Sequence, residues 1–311
     1  MKYVINGITD PHWNMAHDEF LLENLQDTVF CLWQNVPSVI IGLNQSVYAE
    51  VNLPYLREQG IVLARRVTGG GAVYHDLQNL NYSIAGPTEI IDSHYDTMTQ
   101  ALRSLGVPAI RSGRNDILVE GRKCSGYAKR LSKDRTLIHG TLMWDVNLEP
   151  LSKALDVPGS KLQAAGIASV RSRVANLKDY LPQFKDIQAF RASLQACLSA
   201  GDGEIVITPE QKAGINLMAD EKFRSWDWIY GHSPAATFQN RKKFPCGTVE
   251  VYYTLKRGLF TELRFGGDFL GNKAADELAV QLIGKPLEAI RDFPVGDYFD
   301  QLSPDRLLEL F

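Results

Sequence analysis

Three consecutive glycines, Gly69 to Gly71, follow an apolar strand-like run, Ile61–Arg65, in the stretch Arg65–Asn79, RRVTGGGAVYHDLQN. Glycine tolerates positive φ and lets other groups approach the backbone closely. Successive backbone N–H groups in such a loop can form a nest for an anion. The familiar phosphate loops do not fit. A Walker A loop ends in Gly-Lys-Ser/Thr, whereas Ala72-Val73 follow these glycines. A dinucleotide fingerprint needs glycine at the sixth position from Gly69, where Tyr74 stands. Gly266–Gly271 fails too, because Asp268 takes the place of its second glycine. A plain bend between two strands remains open. Against it stand Arg65 and Arg66 before the loop and His75-Asp76 after it, since arginine pairs gather anionic oxygens. His75 itself fits a hydrogen-bonded strand histidine as well as it fits a ligand contact.

The apolar spacing places strands at Tyr3–Ile5, Thr28–Gln34, Ser38–Ile41, Asn81–Ala85, Ile117–Glu120, Lys123–Lys129 and Thr136–Asp145. It places helices at Asn14–Leu25, Asp92–Leu105, Asp186–Ser199 and Pro209–Phe223. The segment Leu148–Leu181 is mixed. Gly247–Leu255 and Leu259–Phe265 alternate as a hairpin, followed by helical patterns at Asn272–Ile283 and Asp305–Phe311. Arg241-Lys242-Lys243 reads as a solvated linker. Strands cluster without regular βαβ alternation, so the class is α+β. The expected domains are 1–240 and 241–311.

The chain has 311 residues, 45% hydrophobic and 22% charged, with formal net charge −3. That balance gives no sign of general nucleic-acid binding. Its cysteines, Cys31, Cys124, Cys197 and Cys246, form no CxxC pair and suggest neither a zinc ribbon nor a disulfide framework. No signal-peptide core and no membrane span stand out. A reducing, cytoplasmic protein is expected.

Two further polar segments carry candidate chemistry: Gly113–Arg130, GRNDILVEGRKCSGYAKR, and His139–Val146, HGTLMWDV. Lys123 lies in a strand-like run beside Ser125-Gly126. A strand lysine commonly belongs to a solvated face, yet one beside small residues can hold the oxygens of an acyl phosphate.

These motifs together resemble the large, two-domain bacterial lipoate–protein ligases. The resemblance spans most of the chain: Asn14–Glu19, Leu32–Asn35 with Val39–Gly42, Arg65–Asn79, Gly113–Asp116, Arg122–Gly126, His139–Leu142 and Gly166–Val174. It implies a catalytic domain like that of biotin and lipoate ligases and a small, mobile α+β accessory domain. The implied chemistry joins lipoate and ATP, with Mg²⁺, into lipoyl-adenylate and pyrophosphate. The lipoyl group then passes to a lysine of a carrier, either a lipoyl domain of a 2-oxoacid dehydrogenase complex or the glycine-cleavage H protein. By this resemblance Lys123 is catalytic and bridges the acyl carbonyl and the α-phosphate. Arg66, Gly69, Gly70, Gly71, Ala72, Val73, Tyr74, His75, Asn79 and Thr141 bind ATP or the adenylate. Asp116 lies near the metal or the incoming lysine, and Ser169–Asn176 closes over the intermediate. No nucleic acid or membrane partner is implied, and a monomer is expected. Leu43, Gln78 and Cys124 depart from residues common in the family.

The chemistry suits that assignment. An amine does not attack a carboxylate usefully, because oxide is a poor leaving group. Adenylation supplies a phosphate leaving group, and the protein must then stabilise charge. Two rivals are weighed. An octanoyl- or lipoyl-transferase of the same fold would use a cysteine thioester and no ATP, with Cys124 the nearest thiol. A non-catalytic binder would not need Lys123. A biotin ligase matches the specific motifs less well.

Overall fold

The computed structural model describes residues 1–94, 96–113, 115–155, 174–233 and 235–311. Its main sheet has seven strands, in the order β1 (Lys2–Ile5), β2 (Val29–Trp33), β6 (Asn79–Pro87), β10 (Arg135–Met143), β9 (Arg122–Ser132), β8 (Asp116–Val119), β7 (Ala109–Ser112). β1 and β2 run parallel; every other neighbouring pair is antiparallel. A second sheet sets β3 (Ser38–Ile41) between β4 (Val62–Arg65) and β5 (Val73–His75). The glycine loop therefore crosses over the end of β3 to join the two outer strands.

Strand side chains alternate between faces, and β6 shows why both faces of the large sheet are covered. Leu80, Tyr82 and Ile84 join Phe30, Leu32, Ile138 and Leu142 in one apolar core, under the helices Thr97–Ser104 and Ile187–Ser199. The alternate residues Asn79, Asn81 and Ser83 are polar yet fully buried. Helix α1 (Pro11–Asn24), capped by the Asp10 carboxylate, covers that side.

The C-terminal sheet is formed by β11 (Ala236–Phe244), β12 (Gly247–Lys256) and β13 (Leu259–Gly267), backed by the helix Ala275–Leu282. Position 240, expected as a domain limit, falls inside β11. Arg241 and Lys242 are not linker residues. Cross-strand Glu250 pairs with Arg241 at 3.1 Å, and Glu309 pairs with Lys242 at 2.7 Å, so both cations sit on an ordered strand. The helix expected over Asp92–Leu105 is two, Thr88–Ser93 and Thr97–Ser104. The one expected over Pro209–Phe223 turns from α to π geometry at Ala219. Among the described residues no helix is long and apolar enough to cross a membrane.

Candidate active site

A cavity of about 220 Å³ opens on the polar face of the main sheet, between the glycine loop, α1 and strands β2, β6, β9 and β10. Trp33, Asn81 and Thr141 line it as one cross-strand row on β2, β6 and β10. Of the residues predicted from sequence, Arg66, Gly70, Gly71, Ala72, Val73, His75, Lys123 and Thr141 line the cavity. Tyr74 does not, because period-two alternation sends it to the opposite face of β5 from Val73 and His75. Asn79 lies behind the wall, where its Nδ2 donates to Asn81 Oδ1 at 2.7 Å. Asp116 reaches the cavity through Lys123, whose Nζ is 2.7 Å from its Oδ1.

The glycine loop is held by Arg66. Its Nη2 donates to the carbonyls of Gly69 (2.7 Å) and Gly71 (2.8 Å), its Nη1 to Ile40 O and its Nε to Thr68 Oγ1. Most of its donors are thus spent on shaping the loop. Gly70 sits at φ +96°, in the left-handed region that favours glycine. Gly42 at the end of β3 is constrained from the other side: a Cβ there would stand 2.0 Å from Gly70 O. Arg65 is no anion ligand. It is fully buried, and its guanidinium donates to the carbonyls of Gly42, Leu43, Gln45, Trp228 and Ile229. A ligand would have to displace several of these bonds at once.

Lys123 and Cys124 are neighbours on β9 that point to opposite faces. The Lys123 amino group stands over Gly126, where a Cβ would come within 2.8 Å of it. Cys124 is buried in the second core, its thiol donates to Ile117 O at 3.4 Å, and burial pushes that thiol up to about 12. A thiol so placed does not meet the cavity. The Lys123 carbonyl accepts from Ala175 N at 2.9 Å, fixing the chain that follows residue 173. Of the closing loop expected at Ser169–Asn176, residues 169–173 lie outside the described residues, as do Arg114 and most of the Gly166–Val174 motif.

Other lining residues had no site role assigned from sequence: Asn81, Tyr127 and Ala128, and also Met15, Trp33, Ile40, Asn115, Gly126, His139 and Gly140, which fall in the motifs that carry the resemblance. His139 Nδ1 is 2.7 Å from Asp18 Oδ2 on α1, and its Nε2 is 2.7 Å from Thr68 Oγ1. His75 closes another chain. Asn6 Nδ2 donates to Asn14 Oδ1, Asn14 Nδ2 to Asn35 Oδ1, and Asn35 Nδ2 to His75 Nδ1 at 3.1 Å. The His75 proton therefore lies on Nε2, which has no partner among the described residues. Burial, helped by Arg66 and His139, lowers the ring's pKa to about 3, so it is neutral. Asn81 Nδ2, also in the cavity wall, is likewise buried and without a partner among the described residues.

The site thus combines a mixed sheet with buried polar side chains on one face, a glycine loop across it and a strand lysine over a glycine. The family described as the lipoyl protein ligase A/B catalytic domain matches residues 10–199, and the bacterial lipoate protein ligase C-terminus matches residues 233–311. A lipoate-protein ligase of Bacillus subtilis, LplJ, is 36% identical over 329 aligned positions, covering 100% of this chain and 99% of that protein. A bi-partite lipoate protein ligase from Thermoplasma acidophilum, studied with its E2 lipoyl domain, superposes with a TM-score of 0.67. It is 30% identical, covering 75% of this chain and 97% of that one. Lipoate-protein ligase A bound with ATP superposes with a TM-score of 0.64 at 28% identity, covering 75% and 100%. The chain belongs to the bacterial lipoate–protein ligase family and is an enzyme of that kind.

Proposed function

We propose that this enzyme activates lipoate with ATP and transfers the lipoyl group to a carrier lysine. The carrying observation is the placement of Lys123: its amino group stands at the open side of a cavity whose far side is closed and largely apolar, with the glycine loop alongside. In the first step a lipoate oxygen attacks the α-phosphorus and the bond to pyrophosphate breaks. In the second, the carrier amine attacks the acyl carbonyl, AMP leaves, and the amine loses a proton. Lys123 turns from Asp116 to the acyl carbonyl and α-phosphate oxygens, and stabilises negative charge in both steps. The Gly69–Gly71 backbone and the side chains of Ala72, Val73 and His75 flank the nucleotide and acyl group. Thr141 sits beside the carbonyl. Arg66 keeps the loop in shape and stands beside the phosphates.

Among the described residues no three His, Cys, Asp or Glu side chains gather into a metal cage. Asp116 nonetheless fits Mg²⁺, which needs only one or two protein carboxylates when nucleotide phosphates supply other ligands. When bound there, the ion would neutralise phosphate charge. The ATP-bound relative supports nucleotide use, and the relative with an E2 lipoyl domain supports lipoyl domains of 2-oxoacid dehydrogenases as acceptors. The H protein of glycine cleavage is a second acceptor, and a cytoplasmic monomer is the working form. The catalytic unit and a C-terminal accessory unit meet near the start of β11. The buried Cys124 leaves a thioester route without a thiol at the cavity. Lipoate-dependent exchange of pyrophosphate into ATP, with biotin as comparison acid, tests the assignment; absence of exchange with lipoate would remove it.

A further inference from the structure

The cavity is asymmetric. Lys123 on β9 marks its open side, with 41% of the side chain exposed. Two strands away across the sheet lies Asn81 on β6, with Trp33 next to it on β2. Neighbouring strands are about 4.8 Å apart, so Asn81 lies roughly 10 Å from the β9 backbone. Its wall is closed: Asn81 is fully buried, and Met15, Trp33, Ile40 and His75 are all at most 3% exposed. An acid whose carboxyl end meets Lys123 must therefore place its tail at this closed end.

That end is not purely apolar. Asn81 Oδ1 is engaged by Asn79, which leaves Asn81 Nδ2 unpartnered, and the asparagine chain leaves His75 Nε2–H unpartnered. Buried donors without acceptors destabilise a site, and a hydrocarbon tail cannot relieve that cost. A dithiolane can, because its sulfurs accept weak hydrogen bonds. They also pack well on an aromatic ring such as Trp33. A site that keeps polar groups for one ligand rejects the analogue that lacks their partners.

Resting on the ligase assignment, we propose that Asn81, assisted by His75, is the acyl-specificity determinant of this enzyme and selects a sulfur-bearing tail over a plain alkyl one. Sulfur is a weak acceptor, so the expected preference is about tenfold in kcat/KM for lipoate over octanoate, a difference of ~1.4 kcal/mol.

The test measures acid-dependent pyrophosphate release with lipoate and with octanoate, for the wild-type full chain and two variants. Asn81→Leu removes the donor. Asn81→Thr removes the amide N–H but keeps an oxygen for Asn79, its hydroxyl being carried on Cβ and so set back from where the amide nitrogen stood. The ratio of the two acids on one preparation cancels any loss of folded protein. The expected result is a tenfold lipoate preference that falls to near unity in both variants, octanoate use being retained or improved. An equal loss with both acids would overturn the proposal and put Asn81 at the carboxyl end. A wild-type ratio near unity would overturn it as well. If neither acid is used by the wild type, the ligase assignment falls, and this inference with it.

Discussion

Asp18 and His139 are 121 positions apart in the chain, yet Asp18 Oδ2 and His139 Nδ1 are 2.7 Å apart in the buried wall of the cavity. Asp18 Oδ1 takes the Ser83 hydroxyl, and Ser83 in turn takes the Trp33 indole N–H at 2.8 Å. On the other side of the ring, Thr68 Oγ1 receives Arg66 Nε–H at 3.0 Å and meets His139 Nε2. Every proton has an acceptor if His139 carries its own on Nδ1 and Thr68 donates to Nε2. The carboxylate on α1 thus sets a tautomer, and the tautomer sets a hydroxyl that helps hold Arg66 and the loop.

Asp18→Asn should reverse that chain, since its amide would donate to Nδ1. We expect kcat/KM for adenylation to fall ten- to a hundredfold, in line with a lost charge-assisted hydrogen bond of about 1.5–3 kcal/mol. Asp18→Asn and Thr68→Val should be less than additive, because they interrupt one network. Full additivity in pyrophosphate-release assays would separate the two residues.

Lys123→Ala should abolish both adenylation and transfer from preformed lipoyl-adenylate, and Lys123→Arg should rescue little, because a planar fork does not replace a point charge. The Lys123–Asp116 pair is more than a third exposed on both sides, so its loss should cost under about 1 kcal/mol of stability. A melting temperature close to wild type, together with absent pyrophosphate exchange, is the expected combination. Near-normal exchange would refute the role given to Lys123.

Gly70→Val combines φ +96° with a Cβ 2.9 Å from Arg66 Nη2, so it should raise KM for ATP and lipoate and lower kcat. Unchanged kinetics would make the loop a bend and nothing more.

Cys124→Ser should keep ATP-dependent lipoylation of a lipoyl domain within roughly tenfold, a barrier change of at most ~1.4 kcal/mol. The thiol should also resist modification in the folded protein, being buried and held protonated. Transfer from an octanoyl carrier without ATP, lost in the serine variant, would reverse the mechanism; mass spectrometry of the acceptor reads both outcomes.

Acid stability should depend on His17. Stacked on Trp13, with neither ring nitrogen bonded among the described residues, it is fully buried, and burial lowers its pKa from 6.5 to about 4. The ring is neutral in the fold, while the unfolded ring takes a proton below pH 6.5. The unfolded state therefore binds more protons between pH 6.5 and 4. Stability is fully present above 6.5 and is lost as pH falls through that window, by about 3 kcal/mol. His17→Phe should flatten this part of the melting-temperature profile; an unchanged slope would assign it to other groups.

Much of the frame was readable in advance because local patterns dictate it. The strand at Ser38–Ile41 matches its expected bounds to the residue, the glycine loop and Lys123 are marked by their neighbours in sequence, and Thr141 is marked by the resemblance. The remaining parts depend on pairing between distant segments. Asp18 and His139 meet only because α1 lies across β10. A local signal existed for Asn81: Asn-Leu-Asn-Tyr-Ser-Ile alternates polar and apolar residues, the pattern of a strand with one solvated face. Here α1 and the loop cover that face, so the pattern marks a binding wall. β11 was hidden by Arg241-Lys242-Lys243, of which Arg241 pairs with Glu250 on the neighbouring strand and Lys242 with Glu309 at the end of the last helix.

The grip of Arg65 on the carbonyls of Trp228 and Ile229, and on the Ser233 hydroxyl, has a mechanical result. Ser233 Oγ also accepts from Val47 N. The chain is clamped to the catalytic body up to this serine. Past this serine the two parts are joined mainly by apolar packing, Tyr48, Val51 and Leu53 sharing one core with Tyr253, Leu287 and Leu308, to which Tyr48 Oη to Gly258 O at 3.5 Å and a partly exposed Arg57–Glu288 pair at 3.3 Å are added. Two adjacent arginines thus do different work: Arg65, the last residue of β4, ties down the chain that leads into β11, and Arg66, the next residue, shapes the glycine loop.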